Sequence, residues 1–137
     1  PIEFLEETHE LINFKELIVP MPDLIKVLSS INGKKIIYTN APKNYTNKLL
    51  ELCHIQDYFD GVFSIEDANF IAKPNPISME FFLKKYKIKE AYFVDDIKEN
   101  LKTAHEFGLF TIWLTNQKEN PKFIDKKISQ LSDLITD

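Results

Sequence analysis

Three short polar clusters carry the groups in this chain that could do chemistry: Asp95-Asp96, Thr39-Asn40 and Lys73-Pro74. Asp95 and Asp96 end the apolar run Ala91-Tyr92-Phe93-Val94. Two adjacent carboxylates repel each other unless a cation or hydrogen-bond donors compensate them, so the pair predicts a Mg²⁺ site. Asn100 follows Asp96 by one helical turn and offers an oxygen near the same site. An N-cap aspartate beside an exposed neighbour would produce the same dipeptide. Thr39 offers a hydroxyl, Asn40 an amide, and the helix that follows them its unpaired N–H groups, a combination that suits phosphate. An ordinary cap or turn also favours Thr and Asn. Lys73 could meet a phosphoryl oxygen as a point charge. Taken alone it is one lysine among 17 and reads more readily as solvated surface.

The elements that must position these groups alternate. Leu24, Val27, Leu28 and Ile31 recur at helical spacing between Asp23 and Asn32-Gly33,. Lys35–Thr39 reads as a strand, residues 42–53 as a helix, and Val62-Phe63-Ser64 as a short strand. Asn75 and Pro76 open a helix that ends near Tyr86,. Tyr92–Asp95 is a buried parallel strand, because it is continuously apolar and a helical pattern follows it. That helix presents Ile97, Leu101, Ala104 and Phe107 and stops at Gly108. Phe110–Leu114 is a strand, Phe123-Ile124 a small edge strand, and Ser129 caps a last helix through Leu134. Residues 2–12 read as a helix. Strands alternating with helices predict an α/β fold, a parallel sheet with right-handed crossovers and helices on both faces. The three clusters then fall at the carboxyl ends of strands, where open α/β sheets bind ligands.

Composition narrows the function classes. The chain of 137 residues is 44% hydrophobic, enough for one domain with a core,. No apolar run approaches the roughly 20 residues needed to span a bilayer, and no secretory signal is visible. Net charge is −4 and every basic residue is lysine, without a basic stripe, which argues against nucleic-acid polymers,. The one cysteine, Cys53, reads as a small buried hydrophobe and fits a reducing, cytoplasmic setting,. His9, His54 and His105 lie on different elements and form no paired metal spacing,. Trp113 and Phe81-Phe82 read as core.

The order Thr-Asn, Lys-Pro, Asp-Asp, each at a strand end, resembles the haloacid dehalogenase superfamily of hydrolases. Its second, third and fourth motifs correspond to Ile36–Asn40, Lys73-Pro74, and Phe93–Asp96 with Asn100. His9, Thr39-Asn40-Ala41 and Asp57-Tyr58-Phe59-Asp60-Gly61 make it look closest to the subfamily IA, pyrimidine 5′-nucleotidase-like branch. The resemblance implies a Rossmann-like three-layer core and a Mg²⁺-dependent phosphomonoesterase acting on a small phosphorylated metabolite. It implies that Thr39 hydrogen-bonds the phosphoryl group and that Lys73 neutralises its charge. Asp96 would ligate Mg²⁺, with Asp95 supporting it from behind; Asn100 stands where many relatives carry a carboxylate.

The first motif of that family, an apolar strand ending in Asp-x-Asp, has no counterpart here, since the first aspartate is Asp23. The resemblance therefore assigns residues 1–19 to the remnant of a helical cap and connector, and 20–137 to the carboxy-terminal part of the core. The start at Pro1 reads as that of a fragment. In the family the first strand lies between the Thr39 and Asp95 strands, so the expectation is a central slot. A missing N-terminal segment or a second chain would complete the sheet there. Lacking the aspartyl nucleophile, the chain is expected to be inactive alone. A degenerate, non-catalytic binding module is the alternative. A signalling receiver domain is disfavoured, because its acidic pair would precede Thr39 and Lys73.

Overall fold

The computed structural model describes residues 2–4 and 21–135. Strands β1 (Ile2–Phe4), β2 (Lys35–Tyr38), β3 (Gly61–Phe63), β4 (Tyr92–Asp95), β5 (Phe110–Leu114) and β6 (Lys126–Ile128) form one sheet. Its order is β3-β2-β1-β4-β5-β6, and every neighbouring pair is parallel. Helices α1 (Met21–Ser30), α2 (Lys43–Leu52), α3 (Pro76–Lys85) and α4 (Lys98–Glu106) supply the crossovers. Among the described residues no helix is long and apolar enough to cross a membrane.

Alternation along the strands divides the core in two. Ile36, Tyr38, Phe63, Phe93 and Trp113 pack with Met79 and Phe82 of α3 and Leu101 and Ala104 of α4. Ile37 faces the other way onto Leu28 of α1 and Leu50 of α2. Val94, Ile112 and Ile128 share that second face with Leu131 and Leu134 of a closing 3₁₀ turn. The expected three-layer α/β architecture is the one observed.

The central position is not empty. Ile2–Phe4 occupies it, with Ile2 opposite Lys35 and Tyr92, and Phe4 opposite Ile37 and Val94. This corrects the expectation of a slot in the sheet and the helical reading of residues 2–4. A bare slot would leave two rows of backbone donors and acceptors unpaired on β2 and β4, and a three-residue strand satisfies both rows at once,. Local helical periodicity does not compete with that pairing. The rest of the expected helix and of the cap remnant lies outside the described residues.

The last edge strand also shifts. Phe123 and Ile124 do not form it; Lys126–Ile128 pairs with Ile112–Leu114 instead. Residues 123–125 are held in a turn at Thr111, whose hydroxyl donates to the Phe123 carbonyl at 2.6 Å. The Asp125 carboxylate in turn accepts the Thr111 N–H at 2.8 Å. The closing segment is a 3₁₀ turn, Leu131–Ile135, and its anchor is reversed from the expected one. Asp133 accepts from the Ser129 and Gln130 N–H groups, where Ser129 was expected to do the capping.

Candidate active site

Tyr38 and Asp95 end β2 and β4, so Thr39 and Asp96 begin the turns at the same edge of the sheet, on either side of β1. Asn40 follows, and its side chain clamps the distant Lys73 loop. Its Oδ1 accepts the Lys73 N–H at 2.9 Å, and its Nδ2 donates to the Lys73 carbonyl at 3.3 Å. The Thr39 hydroxyl accepts the Ala41 N–H at 3.0 Å, which fixes its direction in the tight turn before α2,. The peptide bond between Lys73 and Pro74 is cis. The Pro74 carbonyl accepts the Thr103 hydroxyl of α4 at 2.7 Å.

The Asn40 clamp turns Lys73 inward. The residue is 6% exposed, so it is no surface lysine. Its Nζ donates to the Tyr38 carbonyl at 2.8 Å, lies 4.7 Å from the centre of the Tyr38 ring, and reaches Asp95 Oδ2 at 3.7 Å. Asp95, 2% exposed, accepts the Ile97 N–H on Oδ1 at 2.8 Å and the Asn100 amide on Oδ2 at 3.0 Å. Burial pushes the Asp95 carboxyl up to about 7, against the opposing pull of Lys73, Ile97 and Asn100. Asn100 is itself buried, and its amide nitrogen holds Asp95. Tyr38 adjoins these groups, and the sequence did not single it out. Its ring lies beneath Lys73 and its hydroxyl pairs with Ser78.

Asp96 differs from its neighbour. It is half-buried, and among the described residues no hydrogen bond or ion pair reaches its carboxylate. Its main-chain carbonyl accepts the Trp113 indole N–H at 3.0 Å. No group of three or more His, Cys, Asp or Glu side chains able to hold a metal occurs among the described residues. A turn carrying one or two carboxylates fits Mg²⁺, which fills its remaining positions with water and phosphate oxygen. Among the described residues no partner takes up the Asp96 carboxylate, which leaves it available to such an ion. The cavity of about 570 Å³ lined by Tyr92, Phe110 and Ile112 lies towards the amino ends of β4 and β5, away from this edge.

The loop before Lys73 is anchored by Asp67. Its carboxylate accepts the Ser64 N–H at 2.9 Å and meets Lys43 at 2.7 Å and Lys85 at 3.1 Å. Burial would raise its pKa, but the bonds from Lys43, the Ser64 N–H and Lys85 outweigh it and hold the carboxyl well below the ordinary aspartate value. The same loop places Phe70 at φ 63°, a left-handed conformation, with 73% of its surface exposed. Phe70→Gly is expected to raise stability by about 0.5–1 kcal/mol, since relief of the left-handed strain exceeds the added chain entropy. Thermal unfolding would show a rise of about 2–4 °C. An unchanged midpoint would mean that the ring makes a compensating contact.

The fold is a parallel α/β sheet with this cluster at its carboxyl edge. The family model described as haloacid dehalogenase-like hydrolase matches residues 1–108, and the chain belongs to that family. Solved structures share the fold at low identity. An L-2-haloacid dehalogenase from Xanthobacter autotrophicus, with chloropropionic acid covalently bound, aligns at TM-score 0.72 and 20% identity, over 82% of this chain and 58% of its own. The HAD-hydrolase YfnB from Bacillus subtilis, bound to magnesium, aligns at 0.73 and 20%, over 82% and 53%. A predicted phosphoglycolate phosphatase from Haemophilus somnus 129pt aligns at 0.70 and 19%, over 83% and 55%. The chain thus spans little more than half the length of these structures.

Proposed function

We propose that this chain forms the phosphate- and Mg²⁺-binding part of a phosphomonoester hydrolase. Its substrate class would be small phosphorylated metabolites, with nucleoside 5′-monophosphates favoured by the likeness to the pyrimidine 5′-nucleotidase branch. The observation that carries the proposal is the contrast at the end of β4. Asp95 is locked by Lys73, Asn100 and the Ile97 N–H, while Asp96 keeps a half-buried carboxylate without a partner among the described residues. The phosphatase and magnesium-bound relatives support this reading at the level of fold.

In this reading Asp96 ligates the ion directly and Asp95 fixes the turn behind it. Asn100 acts through Asp95 and could itself offer an oxygen. Thr39 holds a phosphoryl oxygen, Asn40 sets the Lys73 loop, and Lys73 neutralises negative charge at the phosphoryl group. Bound Mg²⁺ supplies further charge neutralisation at that group, the main need of phosphoryl transfer. No Asp-x-Asp ends a strand in this sequence, so the residues account for binding and charge balance but not for an aspartyl nucleophile,. The alternative reading is a non-catalytic relative that keeps the binding site.

Thermal unfolding and calorimetry in Mg²⁺, with and without inorganic phosphate, test the proposal. Mg²⁺ is expected to raise the midpoint of the wild-type chain through mass action and to leave Asp96→Asn unmoved. Turnover of p-nitrophenyl phosphate by the chain alone is expected to be nil. A wild-type protein indifferent to Mg²⁺ would end the metal-site reading. Turnover abolished by Asp96→Ala would reveal a nucleophile among these residues.

A further inference from the structure

We propose that Trp113 is a positioning residue for Asp96, and that its indole reports occupancy of the Mg²⁺ site; this rests on the reading of Asp96 as the metal ligand. Trp113 lies on β5 directly opposite Asp95 of β4 and is 1% exposed. Packing alone would be served by any large apolar side chain. The indole adds an N–H, which donates to the Asp96 carbonyl at 3.0 Å.

That carbonyl belongs to the same peptide unit as the Ile97 N–H, which donates to Asp95 Oδ1 at 2.8 Å. The peptide plane between Asp96 and Ile97 is therefore held at both ends, by Trp113 on one edge and Asp95 on the other. With the preceding residue held at the end of β4, a fixed plane restricts the backbone angles of Asp96, and with them the direction of its Cα–Cβ bond,. The next residue is tied on the same side: Lys98 Nζ meets Glu119 Oε1 at 2.7 Å. The loop carrying Glu119 is in turn held by Lys127 Nζ, which donates to the Gln117 and Glu119 carbonyls at 3.1 Å. β5 and the loop after it thus form an outer frame around the metal turn. Trp113 supplies the bond closest to the ligand.

Trp113→Phe keeps the ring in the core and removes only the donor. It is expected to weaken Mg²⁺ binding by about tenfold in calorimetry, the loss typical when a partner that orients a metal ligand is removed. Ile112→Val, a buried change on the opposite face of the same strand, is expected to lower the unfolding midpoint without changing that affinity. Because the chain has a single tryptophan, Mg²⁺ should also shift its emission in the wild type, and the shift should vanish in Asp96→Asn. Trp113→Phe binding Mg²⁺ as tightly as the wild type would overturn the inference and leave the metal site standing. Saturation of the wild type with no change in emission would do the same, even if Trp113→Phe fails to fold. A wild type that binds no Mg²⁺ in calorimetry would remove the site reading and the inference together.

Discussion

Replacing Lys73 with methionine is expected to destabilise the protein by about 3–5 kcal/mol above neutral pH, and far less in acid. Methionine preserves most of the stem that lies over the Tyr38 ring, so the change isolates the charge. It leaves Asp95 buried with two N–H donors and, among the described residues, no ion-pair partner. The pH dependence follows from the direction of the Asp95 shift. Its folded pKa is raised by burial to about 7 with Lys73 in place, and removing Lys73 pushes it higher. A carboxyl whose folded pKa is raised contributes stability that is fully present below the unfolded value, about 3.9, and lost as pH rises through the folded value. The deficit of the variant should therefore open as pH rises through and beyond neutrality. Below the unfolded value the wild type carries a buried ammonium beside a neutral carboxyl, so the variant should match or exceed it. Urea midpoints measured across this range decide the point. A deficit that is constant with pH would assign the loss to packing over Tyr38 and not to the ion pair.

The place of the two carboxylates at a strand end was legible because strand and carboxylates coincide in sequence. A continuously apolar run followed by two aspartates and a helical pattern admits few placements, and β4 ends at Asp95 as expected. The Asn75 cap and Pro76 start were equally local, and Asn75 does accept the Ile77 N–H at 2.9 Å. What escaped depended on contacts between distant segments. Lys73 looks like any other lysine until Asn40, remote in sequence, turns its loop inward. Asn40 looked like a phosphate donor, and its amide is engaged with that loop. Trp113 read as core and is core, yet a buried indole N–H must find an acceptor, a signal that could have pointed to the neighbouring strand end. β1 was hidden because three residues carry almost no periodicity. Only the unpaired edges of β2 and β4 call for a strand there.

Phe82→Ala is expected to cost about 3–5 kcal/mol, a large part of the roughly 5–15 kcal/mol that holds a typical domain together. Phe82 is fully buried on α3, with its ring 4.5 Å from Tyr38, 5.3 Å from Phe63 and 5.5 Å from Tyr86. These rings come from different elements and cannot all close on the gap without moving β2 or α3, so a cavity remains. The urea midpoint should fall with little change in the slope, because the surface exposed on unfolding is nearly the same. Phe82→Leu, which retains most of the volume, should lose clearly less. The site should register the cavity as well. Tyr38 is gripped by Phe82 on one side and by Ser78 through its hydroxyl, and its ring and carbonyl both hold Lys73. Loosening Tyr38 weakens the seat of the ammonium beside Asp95. Phe82→Ala should therefore blunt the pH dependence that removal of Lys73 produces, and the two substitutions together should destabilise by less than the sum of each alone. Strict additivity would show that the aromatic cluster and the ion pair are independent, and that Tyr38 does not connect them.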